Sequence, residues 1–456
     1  MEFDQIKTDY IKALFLGCFT FLFVSLVLPQ WDSSVYCEEL TLDKSKVPNP
    51  VSQPGDTAEF DLLESISALY NDLHVGPVGI KPSYTIDEVF DDNVFNGPKN
   101  EVDDYYTLHN FGLGLLLHVN NLRANLDYNL DIYEYGHVQE RDHVNQALEG
   151  TIEFEFANDF KISFSDLIGT YVIPREVQRR SFGDIAELDI PIDDDGGPNI
   201  FSDRRDITIN TAKFDIDLPD FIPTLDFKIH YENYDISYLR QTRDNSEFNS
   251  DAITATIEYS SPIFPIKISS GFQYIVERYD TDKTRDRIRE IIPFNIIWDV
   301  TPITKIYLDA NYAISDYGSR SDLENFEGLS ISLGCNWQIT PVSSLEVFVE
   351  RDLKEQRRVD NNSYSDTGGG IIYNIKLNSF EGNFSARYFH REFYESSGLS
   401  GTTEKIDGIS ASLNIMYNPE EWWFAEFAYT YDRLDNDITL GDLTKNTVSL
   451  SMGLSF

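Results

Sequence analysis

Positive charge is scarce in this sequence. Its 456 residues carry 36 Lys and Arg against 77 Asp and Glu, for a formal net charge of -41. Such a surface repels phosphates over most of its area, which excludes nucleic acid as a partner. Cysteine is scarcer still, at three residues. Cys18 lies inside an N-terminal apolar run, which leaves Cys37 and Cys335, too few for a disulfide framework. Beyond that first run no apolar stretch is long enough for a helix to span a bilayer, so any membrane-embedded part must cross with strands. Chemistry-bearing motifs are missing too. There is no nucleophile motif, no Gly-rich phosphate loop and no Cys/His metal spacing, which argues against an enzyme and implies no cofactor. The seven histidines are scattered. His137 and His143 share one segment with Glu140 and Asp142, which reads as a solvated loop ahead of a metal site. "DTGGGI", Asp366 to Ile371, is a lone glycine run entering a strand, better explained by close backbone approach than by phosphate.

What the chain does have is aromatic surface. Aromatics make up 14% of it and hydrophobics 41%, far from the composition of a disordered acidic chain. At the N-terminus, Lys7 and Lys12 precede an apolar run from about Ala13 to Leu28, as in an export signal. Cleavage is expected after Leu28, near Cys37, giving a signal peptide over 1–37; an uncleaved anchor is the alternative. Residues 38–79 read as a periplasmic linker, rich in Pro, Asp and Ser, with a short amphipathic helix carrying Phe60, Leu63, Ile66 and Tyr70 on one side.

From residue 80 to 456 the period is two. "NLDYNLDIY" sets Leu126, Tyr128, Leu130 and Ile132 against Asp127, Asn129 and Asp131. "TLDFKIHYEN" does the same with Leu225, Phe227, Ile229 and Tyr231. "LSISLGCNWQI" does it with Leu329, Ile331, Leu333, Cys335, Trp337 and Ile339. Such segments are strands with a different solvent on each face. About eighteen occur, with one starting near residue 252 and another near 368. The one near 160 is poorly patterned, and Pro293 interrupts another. Their connections alternate between short turns such as "NSFEG" and long acidic loops such as "DLKEQRRVDNNSYSD". The pattern predicts an all-β fold: a transmembrane antiparallel up-and-down outer-membrane barrel of 16–18 strands, with short periplasmic turns and long extracellular loops. Trp298, Trp337 and Trp423 fall on the outward face beside short turns, with Trp422 adjacent, as an aromatic girdle would. The chain ends on "VSLSMGLSF", whose Val448, Leu450, Met452 and Leu454 face lipid when the last strand pairs with the first. Phe456 is then the terminal signal for the outer-membrane assembly machinery.

"FDDNVF", Phe90 to Phe95, resembles the turn after the first strand in the beta-barrel porin 2 family, with Phe90 in place of the usual Tyr. The acidic "NEVDDYYT" and "LDYNLDIYEY" fit as well. The resemblance implies an outer-membrane barrel, in some relatives linked to exopolysaccharide biosynthesis and export, and carries no catalytic or binding residues across. Asp91, Asp92 and Asn93 are read as turn formers, with a cation site as the alternative.

The inferred inward positions, among them Asp127, Asp131, Glu153, Glu155, Lys228, Glu232, Lys376 and Arg387, describe a hydrated interior. The longest loop, about Pro174 to Arg205, is the candidate constriction: Arg175, Arg179, Arg180, Arg204 and Arg205 stand beside Asp193, Asp194 and Asp195, and opposed charges across a pore set a transverse field. A solvated surface loop is the other reading. The expected location is the outer membrane of a Gram-negative bacterium, with divalent cations bridging the acidic loops to lipopolysaccharide. The expected function is a porin-like channel or a conduit for exopolysaccharide export. A plugged barrel that scaffolds a surface polysaccharide assembly is the alternative, and an enzyme acting on lipid or glycan comes third. Polysaccharide export components are the further partners this reading admits.

Overall fold

Eighteen alternating segments pair in chain order into one antiparallel sheet that closes on itself. The computed structural model describes residues 74–75, 77–94, 102–156, 159–174, 204–238, 247–280, 286–318, 325–355, 363–393, 405–420, 422–436 and 443–455, all within one of the chain's two compact units. A two-residue strand, β1 (His74–Val75), folds back on β2 (Val78–Asp91). There follow β3 (Asp104–Val119), β4 (Leu122–Tyr135), β5 (His143–Glu155), β6 (Lys161–Pro174), β7 (Arg204–Ile222) and β8 (Leu225–Tyr238). Next come β9 (Phe248–Ser260), β10 (Ile266–Tyr279), β11 (Arg287–Thr301), β12 (Thr304–Asp316), β13 (Phe326–Thr340) and β14 (Ser343–Glu355). The last are β15 (Ser363–Leu377), β16 (Phe380–Phe393), β17 (Lys405–Glu420), β18 (Trp423–Asn436) and β19 (Leu443–Ser455). β19 pairs with β2, from Thr447 opposite Asp91 to Ser455 opposite Ser83, and the sheet has no free edge. This is the eighteen-stranded barrel that the alternation predicts. The expected signal, the linker as far as residue 73, residues 175–203 and Phe456 lie outside the described residues, and the last residues assigned to the linker form β1 and open β2.

Tight turns punctuate one end. Asn120, Asp159, Thr224 and Asn378 all take positive φ there, at 54°, 59°, 75° and 48°. Asn and Asp tolerate that left-handed backbone because their short polar side chains bond locally. Pro293 does not end β11. It costs that strand its ladder to β10, whose register skips from Phe294 opposite Ser270 to Ile291 opposite Gln273, while the pairing to β12 runs unbroken through Pro293. The hydroxyl of Ser270 donates to the Pro293 carbonyl at 3.0 Å within the gap.

The seam at the long-loop end is latched by the residues after β2. Asp92 accepts from the Asn446 backbone N–H at 2.7 Å and from its side-chain amide at 2.6 Å. Lys445 Nζ lies 2.7 Å from Asp91, and Asn93, fully buried, donates from its backbone N–H to Asp91 Oδ1 at 2.9 Å. The motif therefore forms a turn and also ties the first strand to the last. Asp92→Ala should destabilise the folded barrel by about 1–2 kcal/mol, the cost of removing a charged acceptor from two half-buried donors. Urea unfolding from lipid vesicles reads this directly, and an unmoved midpoint would mean that the latch contributes nothing.

Candidate functional site

Strand pairing puts directly opposed residues on the same face, so the register sorts the wall into an outside and a lumen. Outward rows carry the large exposed apolar residues: Leu329, Ile331 and Leu333 on β13, Val347 and Val349 on β14, Leu450 and Met452 on β19. At the short-turn end this belt closes on tryptophan. Trp298 and Trp337 are exposed outward, and Trp423 pairs with outward Leu454 and meets the Tyr417 ring edge-on at 5.7 Å. Trp422 departs from the girdle, because it sits in the turn before β18 and is only 6% exposed.

The other border of the belt was not legible in the sequence. Of the outward tyrosines at the seventh to ninth residue of their strands, counted from the short turn, five bond an amide or carboxylate oxygen across the sheet. Each donates its hydroxyl to the following strand: Tyr128 to Gln146 at 3.3 Å, Tyr231 to Asp251 at 2.9 Å, Tyr312 to Glu327 at 3.2 Å, Tyr388 to Asp407 at 2.6 Å and Tyr429 to Asn446 at 2.8 Å. In all five the acceptor stands one outward position beyond the residue directly opposite, toward the long loops. The rings thus end the apolar belt while their hydroxyls enter a polar zone. From Trp337 to Glu327 along β13, ten residues at about 3.3 Å each with a tilt of roughly 40° give a belt of about 25 Å, the height of a barrel's lipid-facing band. Only the cross-strand register brings tyrosine and acceptor together, and no linear motif marks them.

The lumen wall holds the polar rows. All eight inferred inward positions fall there. Glu153 and Glu155 face Arg123, Glu232 faces Lys213, Lys376 meets Glu381, and Arg387 Nη2 lies 2.6 Å from Glu350. Asp127, Asp131 and Lys228 share the inward rows. A second pattern repeats across the wall: side-chain amides donate to carboxylates. Asn110 donates to Asp131, Asn125 to Asp127, Asn295 to Asp309, Asn336 to Glu346 and Asn414 to Glu426. A neutral donor fixes a carboxylate's orientation without cancelling its charge, so these five acids keep their field in the lumen.

Toward the long loops the inward face closes up. Ile207, Ile209, Tyr234, Ile236, Phe248 and Tyr279 form a buried apolar cluster on β7–β10, with Tyr171 packed against it. Beside it Glu277 and Arg287, 3% and 4% exposed, form an ion pair through Arg287 Nε, and Tyr317 accepts from Arg287 Nη1 at 3.2 Å. Only the ends of the candidate constriction are described. Arg204 and Arg205 open β7, and Arg175, Arg179, Arg180, Asp193, Asp194 and Asp195 lie outside the described residues.

The histidine pair of the β4–β5 connection is split by its surroundings. His143 stacks on Tyr133 at 4.2 Å with its Nδ1 2.6 Å from the Arg141 carbonyl, while His137 Nδ1 lies 3.2 Å from buried Asp104. Asp104 also accepts the His137 and Val138 backbone N–H groups, at 3.0 and 2.9 Å. Among the described residues no three His, Cys, Asp or Glu side chains converge as metal ligands. The Asp366–Ile371 glycine run lies inside β15, where a side chain at Gly368 would collide with the Tyr388 carbonyl and one at Gly370 with the Ala386 carbonyl. Close backbone approach is what these glycines serve.

No family model matches the chain, and no curated protein matches it. Among solved structures it overlaps OccAB3 of Acinetobacter baumannii at 11% identity and a TM-score of 0.48, covering 84% of this chain and 100% of that one. OccK2 of Pseudomonas aeruginosa overlaps at 10% identity and a TM-score of 0.49, over 84% of this chain and 99% of that one. The FrpB iron transporter of Neisseria meningitidis overlaps at 10% identity and 0.47, over 81% and 64%. Overlaps this loose carry no argument about activity. What the described residues establish is an eighteen-stranded antiparallel barrel with an apolar outer belt between two aromatic borders and a charged lumen wall.

Proposed function

We propose that the chain is an outer-membrane channel of a Gram-negative bacterium, exported by its N-terminal signal and passing small solutes passively, with a preference for cations. One observation carries the reading: the lumen wall presents carboxylates oriented by neutral amides, a surface built for water and positive charge. The resemblance of Phe90–Phe95 adds exopolysaccharide export as the finer version of the same function, and a neutral or basic glycan suits this wall better than an acidic one. The segment from Pro174 to Arg205 is the proposed constriction, its arginines and aspartates narrowing the mouth beside the buried inward cluster on β7–β10. The acidic outer loops, bridged by divalent cations to lipopolysaccharide, hold the barrel in its leaflet, and the assembly machinery reads Phe456. Polysaccharide export components remain the proposed partners. The buried inward cluster also supports the second reading, a plugged barrel that serves as a scaffold.

Planar-bilayer recording tests the channel. Refolded protein should give steady single-channel currents, with a reversal potential on the cation-permeable side in a tenfold KCl gradient. The double variant Asp127→Asn, Asp131→Asn should shift that potential toward zero. A silent barrel supports the plugged scaffold, and an anion-selective current would contradict the assignment of the wall.

A further inference from the structure

We propose that the lumen wall of β12–β16 is a glycan-binding strip that takes neutral hexose oligomers; this rests on the channel reading. Along one hydrogen-bonded row the inward residues are Tyr307, Gly334, Phe348, Gly370 and Arg387, each directly opposite the next. In the adjoining row Phe389 stands between Gly368 and Gly408. A Cβ at Gly334 would overlap the Tyr307 ring, one at Gly370 the Phe348 ring and one at Gly408 the Phe389 ring. Gly334 and Gly408 are seats for rings, and Gly370 admits both the Ala386 carbonyl and the Phe348 ring. Each ring lies over backbone on the lumen wall and is half-buried, and the Phe389 ring also lies under Arg387 and Arg391.

Polar groups edge these rings. The Tyr307 hydroxyl donates to Glu346 Oε1 at 2.6 Å, and Asn336 donates to Glu346 Oε2 at 3.4 Å. Arg387 holds Glu350 and lies 5.5 Å above the Phe389 ring centre. Farther toward the long loops Arg391 bonds Asp366 through Nε and Nη2, at 2.7 and 2.9 Å, and stacks 4.3 Å from the Tyr364 ring centre. Tyr307 is the fourth residue of its strand from the short turn, Phe348 the sixth and Phe389 the tenth, so the strip climbs the wall toward the mouth. Successive rings stand two strands apart, roughly 10 Å.

A pyranose ring fits this chemistry. Its C–H face is apolar and faintly positive, as the electron-rich face of an aromatic ring requires, and its rim of hydroxyls needs fixed donors and acceptors nearby. A small cation has no use for seated rings. A lipid chain needs continuous apolar surface, which the glycines, serines and charges between these rings interrupt.

The test uses the full barrel in planar bilayers with maltohexaose and cellohexaose as probes. Sugar should interrupt the current in discrete blocks. Phe348→Ala, Tyr307→Ala and Gly334→Ala, the last by lifting the Tyr307 ring from its seat, should each shorten the block at least tenfold. Phe424→Ala, which removes a lumen ring seated on Gly453 outside the strip, should leave the block duration as it was. Blocks of unchanged length in all three strip variants, or conducting barrels that no hexaose blocks, overturn the proposal. If the barrel does not conduct, the channel reading fails and calorimetry on detergent-solubilised barrel decides the strip alone. Maltohexaose binding weakened by Phe348→Ala upholds it, and no binding overturns it.

Discussion

Leu333→Arg should destabilise the refolded barrel by about 2–4 kcal/mol, while Ser332→Arg, one residue away, should cost under about 1 kcal/mol. Leu333 is an outward residue of β13, 47% exposed, roughly midway between Trp337 and Glu327. An arginine there must leave water for hydrocarbon, and the penalty is greatest at the belt's centre. Ser332 lies opposite Asp309 and Glu350 on the lumen side, where a guanidinium finds water and two carboxylates. The contrast does not depend on helix or strand propensity, because both substitutions place the same residue in the same strand. Guanidinium unfolding from lipid vesicles measures it. Equal costs at the two positions would mean that the strand's faces do not see different solvents.

Glu277→Leu should cost about 3–5 kcal/mol, and the double variant Glu277→Leu, Arg287→Leu should recover most of the loss. Both side chains are almost fully buried on the inner wall of β10 and β11, with Arg289 3.9 Å from the same carboxylate. Deleting one partner takes the nearest counter-charge from a group held away from water, whereas deleting both removes the desolvation penalty along with the attraction. The two substitutions must therefore be strongly non-additive. A double variant as unstable as the sum of the singles would show that the pair is not buried in the folded barrel.

The barrel was legible because its strands mostly separate two solvents, and that separation writes period two into the sequence. Where it lapses, so does the pattern. β9 begins at Phe248 and β15 at Ser363, each ahead of where alternation starts, near 252 and 368. Beyond the tyrosine border the outward face turns polar while on β7–β10 the inward face packs apolar residues, so the apolar-out, polar-in alternation no longer marks the strand. β6 reads poorly for a related reason: Asp166 sits on its outward side, satisfied by the Asn210 amide at 3.0 Å, a partner on the next strand. The outward position of the tryptophans beside short turns could be read directly, except for Trp422, which the turn before β18 buries. The tyrosine border, the amide-held carboxylates and the glycine-seated rings could not be read. Apart from the Asn125–Asp127 contact within β4, each is a relation between residues on neighbouring strands, fixed by register. Asp91, Asp92 and Asn93 stood out as a turn, but their hold on Asn446 and Lys445 appears only when the last strand reaches the first.

The most direct test is of the wet lumen. Single cysteines placed in turn from Gly328 to Ile339, in a background with Cys18, Cys37 and Cys335 replaced, would be exposed to a water-soluble maleimide in intact vesicles. Ser330, Ser332 and Asn336 should label, and Ile331, Leu333 and Trp337 should not. Uniform protection of the inward positions would contradict a water-filled barrel, and labelling without alternation would contradict the wall itself.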